Sequence, residues 1–575
     1  MKTNFTKFKK PLTIIIFSIL TALCENIHAD AETVLVQVDA NSPGKTLRHV
    51  WPFWGFDECN FTYTQASREL MGTLSTSAVR HPLAENKEPV YIRSHFLLNT
   101  GDGTPAMKWG STNVYTEDAN GRPIYDWKIM DKIIDAIIDS GCRPLVEIGF
   151  MPKAMSVKPE PYQHKYPPDV WAGWAYAPKD YDKWAQLIKK WAQHSKERYG
   201  TNIENFLWEL WNEPDIFYWQ GTFDEYCKLF DYTEEALHEV LPNAVLGGPH
   251  VTSPAYRQPA RWLRDFLRHC AEGENYATGK KGTRLDYIGF HSKGNTSVVD
   301  GHPRMDLGAN LRSNQRGFEI ISGFEQYRNT PIIIGECDPE GMAALSSSVQ
   351  PANDYRNGSY YAVYEVAMMK HTLDLADKAG VNLKGVLTWA FMFEGKQYFE
   401  GFRTLSTNGI GKPVLNGFKM LGRLEGKRVP LSSSGSLGAE KIIAEKVRKA
   451  PDIDGLATAG ENKVQVVLWN YHDDIMDAEP NEVQLEIKLP PDITKVSVTH
   501  YRIDKTHSNS YTKWLSLGSP QKPNEEQLAA LKKTAELEIL EPTKNYNVDK
   551  GILSLTFNLP RHSVSLVEAG FVKQK

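Results

Sequence analysis

The sequence predicts an α/β protein, a (β/α)8 barrel with a β-sandwich accessory domain. Three observations carry this expectation. Between about residues 49 and 425, eight short apolar runs alternate with stretches of helical period, the pattern of parallel strands covered on both faces. After Gly426 the pattern changes to short strands separated by polar turns, as in a sandwich. The alternative, an open doubly wound sheet, has no G-x-G-x-x-G after its first run to support nucleotide binding.

Taken in order, residues 1–31 read as a signal for export. Lys2, Lys7, Lys9 and Lys10 form a basic start. The apolar run 11–23 is too short to span a bilayer as a stable helix, and Ala29-Asp30-Ala31 offers an A-x-A cleavage site. The expectation is a periplasmic or extracellular protein with no membrane span. Cys24 is a candidate for lipid attachment, although Leu23 stands where a small residue is wanted. Residues 33–38 (TVLVQV) read as a strand that joins the sandwich. The barrel is placed at 45–426, with its strands in the runs 49–56, 89–96, 143–150, 205–211, 244–249, 285–290, 331–335 and 385–393. Helical period occupies 127–140, where Ile129, Ile133, Ile134 and Ile137 make one stripe, and also 180–199, 223–240, 257–271 and 355–379. Residues 431–438 (LSSSGSLG) read as a loop or linker. The sandwich is placed at 33–40 plus 430–575, with strands at 463–470, 482–489, 495–503, 536–540 and 551–559 and one helix at 525–534.

Composition excludes several classes. Lys+Arg 66 against Asp+Glu 70 gives a net charge of −4, too little for a bulk electrostatic grip on nucleic acid or an acidic membrane. With 41% hydrophobic and 24% charged residues, the chain is neither disordered nor collagen-like. Its 15 Trp, 25 Tyr and 23 Phe can serve a large core or stack on the C–H faces of sugars. Cys59, Cys142, Cys227, Cys270 and Cys337 are scattered, without a C-x-x-C pair, and are expected as buried free thiols. There is no H-E-x-x-H, no G-x-S-x-G and no cluster of metal ligands in the sequence, so neither metal nor cofactor is expected.

Catalytic groups of such barrels sit at the C-terminal ends of strands. Three ends place ionisable residues directly after apolar runs: Trp211-Asn212-Glu213-Pro214 on the fourth, His291-Ser292-Lys293 on the sixth and Glu336-Cys337-Asp338 on the seventh. Alternation puts Glu336 and Asp338 on one face, and likewise His291 and Lys293. A lone glutamate at a strand end is more often a cap or an ion-pair partner. Two glutamates on separate strands of one mouth suit glycoside hydrolysis, which needs one protonated and one ionised carboxyl. Glu147 and Glu209 lie within strands and are expected to pair with barrel-interior residues such as Arg93.

The W-N-E-P string on the fourth strand and the glutamate on the seventh resemble the clan of retaining glycosidases built on (β/α)8 barrels. Further ordered stretches narrow the likeness: 91–103 (YIRSHFLLNTGDG), 108–117 (KWGSTNVYTE), 146–152 (VEIGFMP), 285–294 (LDYIGFHSKG), 331–341 (PIIIGECDPEG), 387–395 (LTWAFMFEG) and, beyond the barrel, 501–520. Together they resemble glycoside hydrolase family 39, the β-xylosidase and α-L-iduronidase family, and its bacterial β-xylosidase-type members in particular.

The resemblance implies a retaining exo-glycosidase acting on an oligosaccharide without a cofactor. Glu213 would be the acid/base and Glu336 the nucleophile. Asn212 would bond the sugar 2-hydroxyl, and Trp389, ending the eighth strand, would form a platform under the sugar. His95, His291, Lys293, Asp338 and Glu394 are the remaining candidates for substrate contact. A β-xylosidase releasing xylose from non-reducing ends is the leading expectation. An α-L-arabinofuranosidase or related arabinosidase stays open. So does an α-L-iduronidase, in which Lys293 and Arg403 would clamp a carboxylate. A non-catalytic carbohydrate-binding protein on the same scaffold is the alternative from another class.

Overall fold

The computed structural model describes residues 33–56, 58–76, 89–105, 109–163, 171–342, 344–389, 393 and 395–571. The export segment, Cys24 and Glu394 lie outside the described residues.

Eight parallel strands form the barrel: Phe53–Phe56, Tyr91–Ser94, Arg143–Glu147, Leu207–Glu209, Val245–Val251, Tyr287–Lys293, Ile332–Asp338, and an eighth in two pieces, Leu383–Val386 and Thr388–Trp389. Each pairs with the next, and Trp389 opposite Gly55 closes the ring. The eight apolar runs are therefore the eight strands in their expected order. Several strands are shorter than their runs. Phe96 and Trp211, past the last paired residues of the second and fourth strands, stay apolar because they are buried in the mouth. Gly55 is needed at the seam: a Cβ there would stand 1.8 Å from the Trp389 ring.

The expected helices are present as Lys128–Asp139, Tyr181–Tyr199, Phe223–Val240, Arg257–Glu272 and Ser359–Ala379. In the first of these, Ile133, Ile134 and Ile137 are buried, as the stripe requires. Phe223–Val240 starts at a capping box, in which Thr222 and Glu225 each accept the other's backbone N–H. Among the described residues, the helices Gln65–Ser75, Leu307–Ser322, Pro413–Arg423, Gly438–Glu445 and Ser510–Ser516 were not expected.

Two further sheets pack face to face. One has the order Leu431–Ser433, Val34–Asp39, Asn481–Lys488, Ile552–Leu559. The other runs Lys45–Thr46, Lys427–Val429, Asp452–Ala459, Lys463–Tyr471, Ser563–Gly570, Lys495–Ile503, Glu538–Asn547. Val34, Val36, Val38, Val483, Leu485 and Ile487 of the first meet Ile453, Val464, Val466, Leu468, Val496 and Val567 of the second in one apolar core. Segment 431–438 is not a free linker. Its first three residues pair antiparallel with Val36–Val38, and helix Gly438–Glu445 follows at once. Strands Asp452–Ala459 and Ser563–Gly570 were not anticipated. Helix Glu525–Thr534 was, and together with Ser510–Ser516 it turns back onto the barrel, where Trp514 and Leu531 pack with Phe399 and Ile410.

The five cysteines Cys59, Cys142, Cys227, Cys270 and Cys337 are buried, and no disulfide joins any two of them. Among the described residues, no helix is long and apolar enough to cross a membrane.

Candidate active site

The two glutamates reach the barrel mouth by different routes. Glu336 lies inside the seventh strand, with Asp338 two residues on and facing the same way. Glu213 stands four residues past the last residue of the fourth strand, at φ +46°, a left-handed conformation that costs a non-glycine residue about 1–3 kcal/mol. Its N–H bonds the His250 carbonyl at 3.0 Å, which fixes the turn against the fifth strand. Asp215 ties the same turn to Thr252 through the Thr252 N–H at 2.8 Å. Burial pushes the Asp215 carboxyl up to about 6.

A carboxylate oxygen of Glu213 and one of Glu336 lie within 4.8 Å of each other, with the Nδ1 of His291 within the same distance of both. His291 Nδ1 stands 3.0 Å from Glu213 and 3.7 Å from Glu336. Its Nε2 is buried beside Gly335 without a hydrogen-bond partner, so the ring proton belongs on Nδ1, where it donates to Glu213. Burial holds the His291 pKa well below the usual histidine value, and the ring is neutral.

Glu336 is surrounded by donors. Lys293 Nζ reaches Oε2 at 2.7 Å, Arg93 Nη1 reaches Oε1 at 3.0 Å and His95 Nε2 lies 3.4 Å from Oε1. Burial opposes ionisation of Glu336, but the attraction of Lys293, helped by His95 and Arg93, outweighs it and holds the carboxyl well below the ordinary range. On distance alone Glu213, His291 and Glu336 could ligate a cation. The Lys293 ammonium and the Arg93 guanidinium already occupy both oxygens of Glu336, and their charges repel one.

Arg93 is the hub that sequence reading left among structural residues. It is fully buried in the second strand. Besides Glu336 it bonds Glu209 at 2.6 Å, Glu147 at 2.7 Å and the Asn212 Oδ1 at 2.9 Å. The expected pairing with Glu147 and Glu209 is present. Burial raises the Glu147 carboxyl well above its usual value. Glu209, equally buried, is kept ionised by Arg93 and then by His250, whose Nε2 lies 2.9 Å away. Arg93 holds the oxygen of the Asn212 amide, so the two N–H donors lie at the other end of that group.

Asp338 is a buried anchor. It accepts the Trp389 N–H at 2.8 Å, forms an ion pair with Lys293 and lies 3.4 Å from Arg403. Arg403 is also buried. Its remaining donors go to the Trp389 carbonyl at 3.0 Å and to Glu340, which pairs with Arg356 at 2.7 Å as well. Trp389 is itself buried. Its ring stacks on His95 with centroids 4.2 Å apart, and the Arg93 guanidinium lies 5.0 Å from its centroid. Thus Glu213, Glu336, Asn212, His95, His291, Lys293, Asp338 and Trp389 converge on one mouth, and Arg93, His250 and Arg403 join them. The signal for Arg93 was present in the sequence: a charged residue inside an apolar strand, on the same face as His95.

A parallel barrel whose mouth sets one strongly ionised glutamate opposite a second, with an amide and cations around them, defines a glycoside hydrolase. Residues 34–548 match the model of glycosyl hydrolases family 39, and the chain belongs to that family. It is similar to a β-xylosidase of Caldicellulosiruptor saccharolyticus, 26% identical over 491 residues, covering 83% of this chain and 88% of that one. It is also similar to the α-L-iduronidase of Mus musculus, 25% identical over 568 residues, covering 93% and 80%. Among solved structures, the GH39 enzyme of Xanthomonas axonopodis pv. citri shares the fold at a TM-score of 0.72 and 18% identity, covering 96% of this chain and 100% of that one.

Proposed function

We propose that the protein is an exported, retaining exo-glycosidase that removes xylose from the non-reducing ends of xylo-oligosaccharides. The observation that carries the mechanism is the approach of the two carboxyls. Oxygens within 4.8 Å fit the about 5–5.5 Å separation of retaining enzymes, whereas inverting pairs stand about 6.5–9.5 Å apart to admit a water. Glu336, held ionised by Lys293, attacks the anomeric carbon. Glu213 gives its proton to the departing oxygen and later takes one from the incoming water. Asn212 offers its N–H groups to the sugar hydroxyl beside the reacting carbon.

The likeness to a β-xylosidase supports the pentose, and the likeness to α-L-iduronidase supports a uronate. The ion pairs favour the neutral sugar. Lys293 is committed to Glu336 and Asp338, and Arg403 to Asp338 and Glu340, so neither cation is left to clamp a substrate carboxylate. An α-L-arabinofuranoside presents overlapping hydroxyls and is the second reading within the class. A panel of nitrophenyl β-D-xyloside, α-L-arabinofuranoside, β-L-arabinoside and α-L-iduronide tests the substrate, with the highest kcat/KM expected on the xyloside. A preference for the iduronide would overturn it. NMR of the first-formed anomer tests the mechanism, and an inverted product would exclude retention. Export is supported by the basic, apolar and A-x-A segments of 1–31, and fractionation of expressing cells checks it.

A further inference from the structure

His250 lies near the end of the fifth strand, where its backbone breaks the regular ladder. Pro249 pairs with Gly289 of the sixth strand and Val251 with Phe290, so His250 is the extra residue of a bulge. Bulges next to active sites serve to re-aim a side chain or a peptide group. The φ of His250 is +51°, a left-handed conformation that glycine takes freely and other residues seldom adopt. Its ring is fully buried and closely seated. A Cβ on Gly289 would stand 2.3 Å from the ring and one on Gly335 2.4 Å, so two glycines on the sixth and seventh strands keep its place clear.

The ring and the carbonyl of this residue are tied to different members of the glutamate pair. The ring Nε2 donates to Oε2 of Glu209 at 2.9 Å. The other oxygen of Glu209 accepts from Arg93 Nε at 2.6 Å, and Arg93 Nη1 donates to Glu336 at 3.0 Å. The His250 carbonyl accepts the Glu213 N–H at 3.0 Å. A continuous chain therefore runs from Glu336 through Arg93, Glu209 and the His250 ring to the peptide group that holds Glu213. Asp215 and Thr252 tie the same turn two residues further on. At Glu213 itself the backbone N–H is held by His250. Glycine could adopt this bulge at less cost, but it would have no side chain to keep the carbonyl aimed.

We infer that His250 is a positioning residue for proton transfer by Glu213: its ring, anchored on Glu209, holds the bulge in the conformation whose carbonyl fixes the Glu213 backbone. The inference rests on the reading of Glu213 as the proton donor. Glu336 has its own restraints in Lys293 and Arg93, and these remain when the His250 ring is removed. Glu213 loses the anchor of its turn. An acid displaced by about 1 Å from the departing oxygen loses about 10²-fold in rate, whereas a leaving group that needs no proton is spared most of that loss.

The test compares two substrates that share the glycone picked out by the nitrophenyl panel: its nitrophenyl glycoside, whose leaving group departs without a proton, and its disaccharide, whose leaving group needs one. In His250→Ala, the ratio of disaccharide to nitrophenyl glycoside kcat/KM should fall about 10- to 100-fold. His250→Gln should restore most of it, because its amide nitrogen lies as many bonds from the backbone as Nε2 and can donate to Glu209. His250→Asn tolerates the left-handed backbone but is too short to reach Glu209. It should fall as alanine does, and it carries the test if His250→Ala does not fold. A second readout is azide, which should raise kcat on the nitrophenyl glycoside in His250→Ala and His250→Asn and give a retained glycosyl azide, because a displaced Glu213 also activates water poorly. An equal fall on both substrates, or an unchanged ratio in variants that melt as the wild type does, would overturn the role. Failure of the underlying reading is recognised separately, since Glu213→Ala would then leave the ratio unchanged as well.

Discussion

Replacing Lys293 by Met separates two roles that this lysine could play. Its ammonium stands 2.7 Å from Glu336 and pairs with Asp338 on the other side. At an effective dielectric of about 20, a full charge at 2.7 Å is worth about 6 kcal/mol to the Glu336 carboxylate. Asp338 shares that charge, and Arg403, 3.4 Å from Asp338, takes over part of its pairing when the lysine is gone. What survives is the shift of about 1–3 pK units that a neighbouring opposite charge usually produces. The sign follows from the chemistry. As the proposed nucleophile Glu336 must be ionised to attack, so activity should be lost as pH falls through its pKa, and removing Lys293 should raise that pKa. The acid limb of kcat/KM for a nitrophenyl glycoside should move up by about 1–3 pH units, a loss of about 10- to 1000-fold below it. Well above the new limb, turnover should return. Nitrophenolate leaves without a proton, so the profile reports the nucleophile. An acid limb that stays in place while the rate falls uniformly at every pH would refute the reasoning and make Lys293 a sugar contact.

Other perturbations address the rest of the molecule. Glu213→Ala should lose about 10²–10⁴-fold on substrates with poor leaving groups but little in the first step with nitrophenolate, and azide should restore turnover with a glycosyl azide of retained configuration. Glu336→Ala should fail on both kinds of substrate, and any azide product should be inverted; the opposite pair of configurations would exchange the two roles. Gly55→Ala puts a Cβ 1.8 Å from the Trp389 ring and should cost about 1–3 kcal/mol in urea unfolding while lowering kcat/KM, because the ring that supports His95 must move. In the sandwich, burial holds His500 and His562 down to about 3 against an ordinary value of about 6.5. Both fold neutral, so the stability they contribute is present above pH 6.5 and lost as pH falls toward 3, roughly 3 kcal/mol each by pH 4. A His500→Gln, His562→Gln double variant should therefore lose less Tm between pH 7 and pH 4 than the wild type.

The parts of this molecule that were legible in its sequence share one property: each contrasts with its neighbours along the chain. The barrel strands stood out as apolar runs between helices with one polar side, and the site glutamates stood out because they broke those runs. Asp452–Ala459 and Ser563–Gly570 escaped notice because, although nearly every residue in them is buried, Asp452, Asp454, Ser563 and Ser565 break any apolar run. One face of the sheet meets its partner sheet, and the other meets helix Ser359–Ala379, where Asp452 and Asp454 bond His371 and Lys370. A strand covered on both sides has no alternation to read, and with polar residues paired inside it there is no apolar run to read either. Helix Leu307–Ser322 was hidden for the reverse reason. Its inward side carries Asn310, Ser313 and Asn314, and Asn310 donates to the carbonyls of Ser292 and Asp338 on the sixth and seventh strands. A polar inward face looks like a loop until its partners are known. The convergence on Arg93 required the second, third, fourth and seventh strands to be placed in space, which no single stretch of sequence encodes.

The placement of Val34–Asp39 bears on how the chain is made. This strand lies between Leu431–Ser433 and Asn481–Lys488, with Val34 opposite Val483, 449 positions later. During synthesis at about 5–20 residues per second, it waits roughly 20–90 s before its parallel partner leaves the ribosome. The last barrel strand, ending at Trp389, emerges within that time, and until Leu431–Ser433 follows VLVQVD has no ladder on either side. A long-lived β-rich segment of this kind is a hazard for intermolecular pairing. Completion of the sandwich is then a late event that joins the two ends of the nascent polypeptide, and a barrel truncated near residue 426 would keep the hazard permanently.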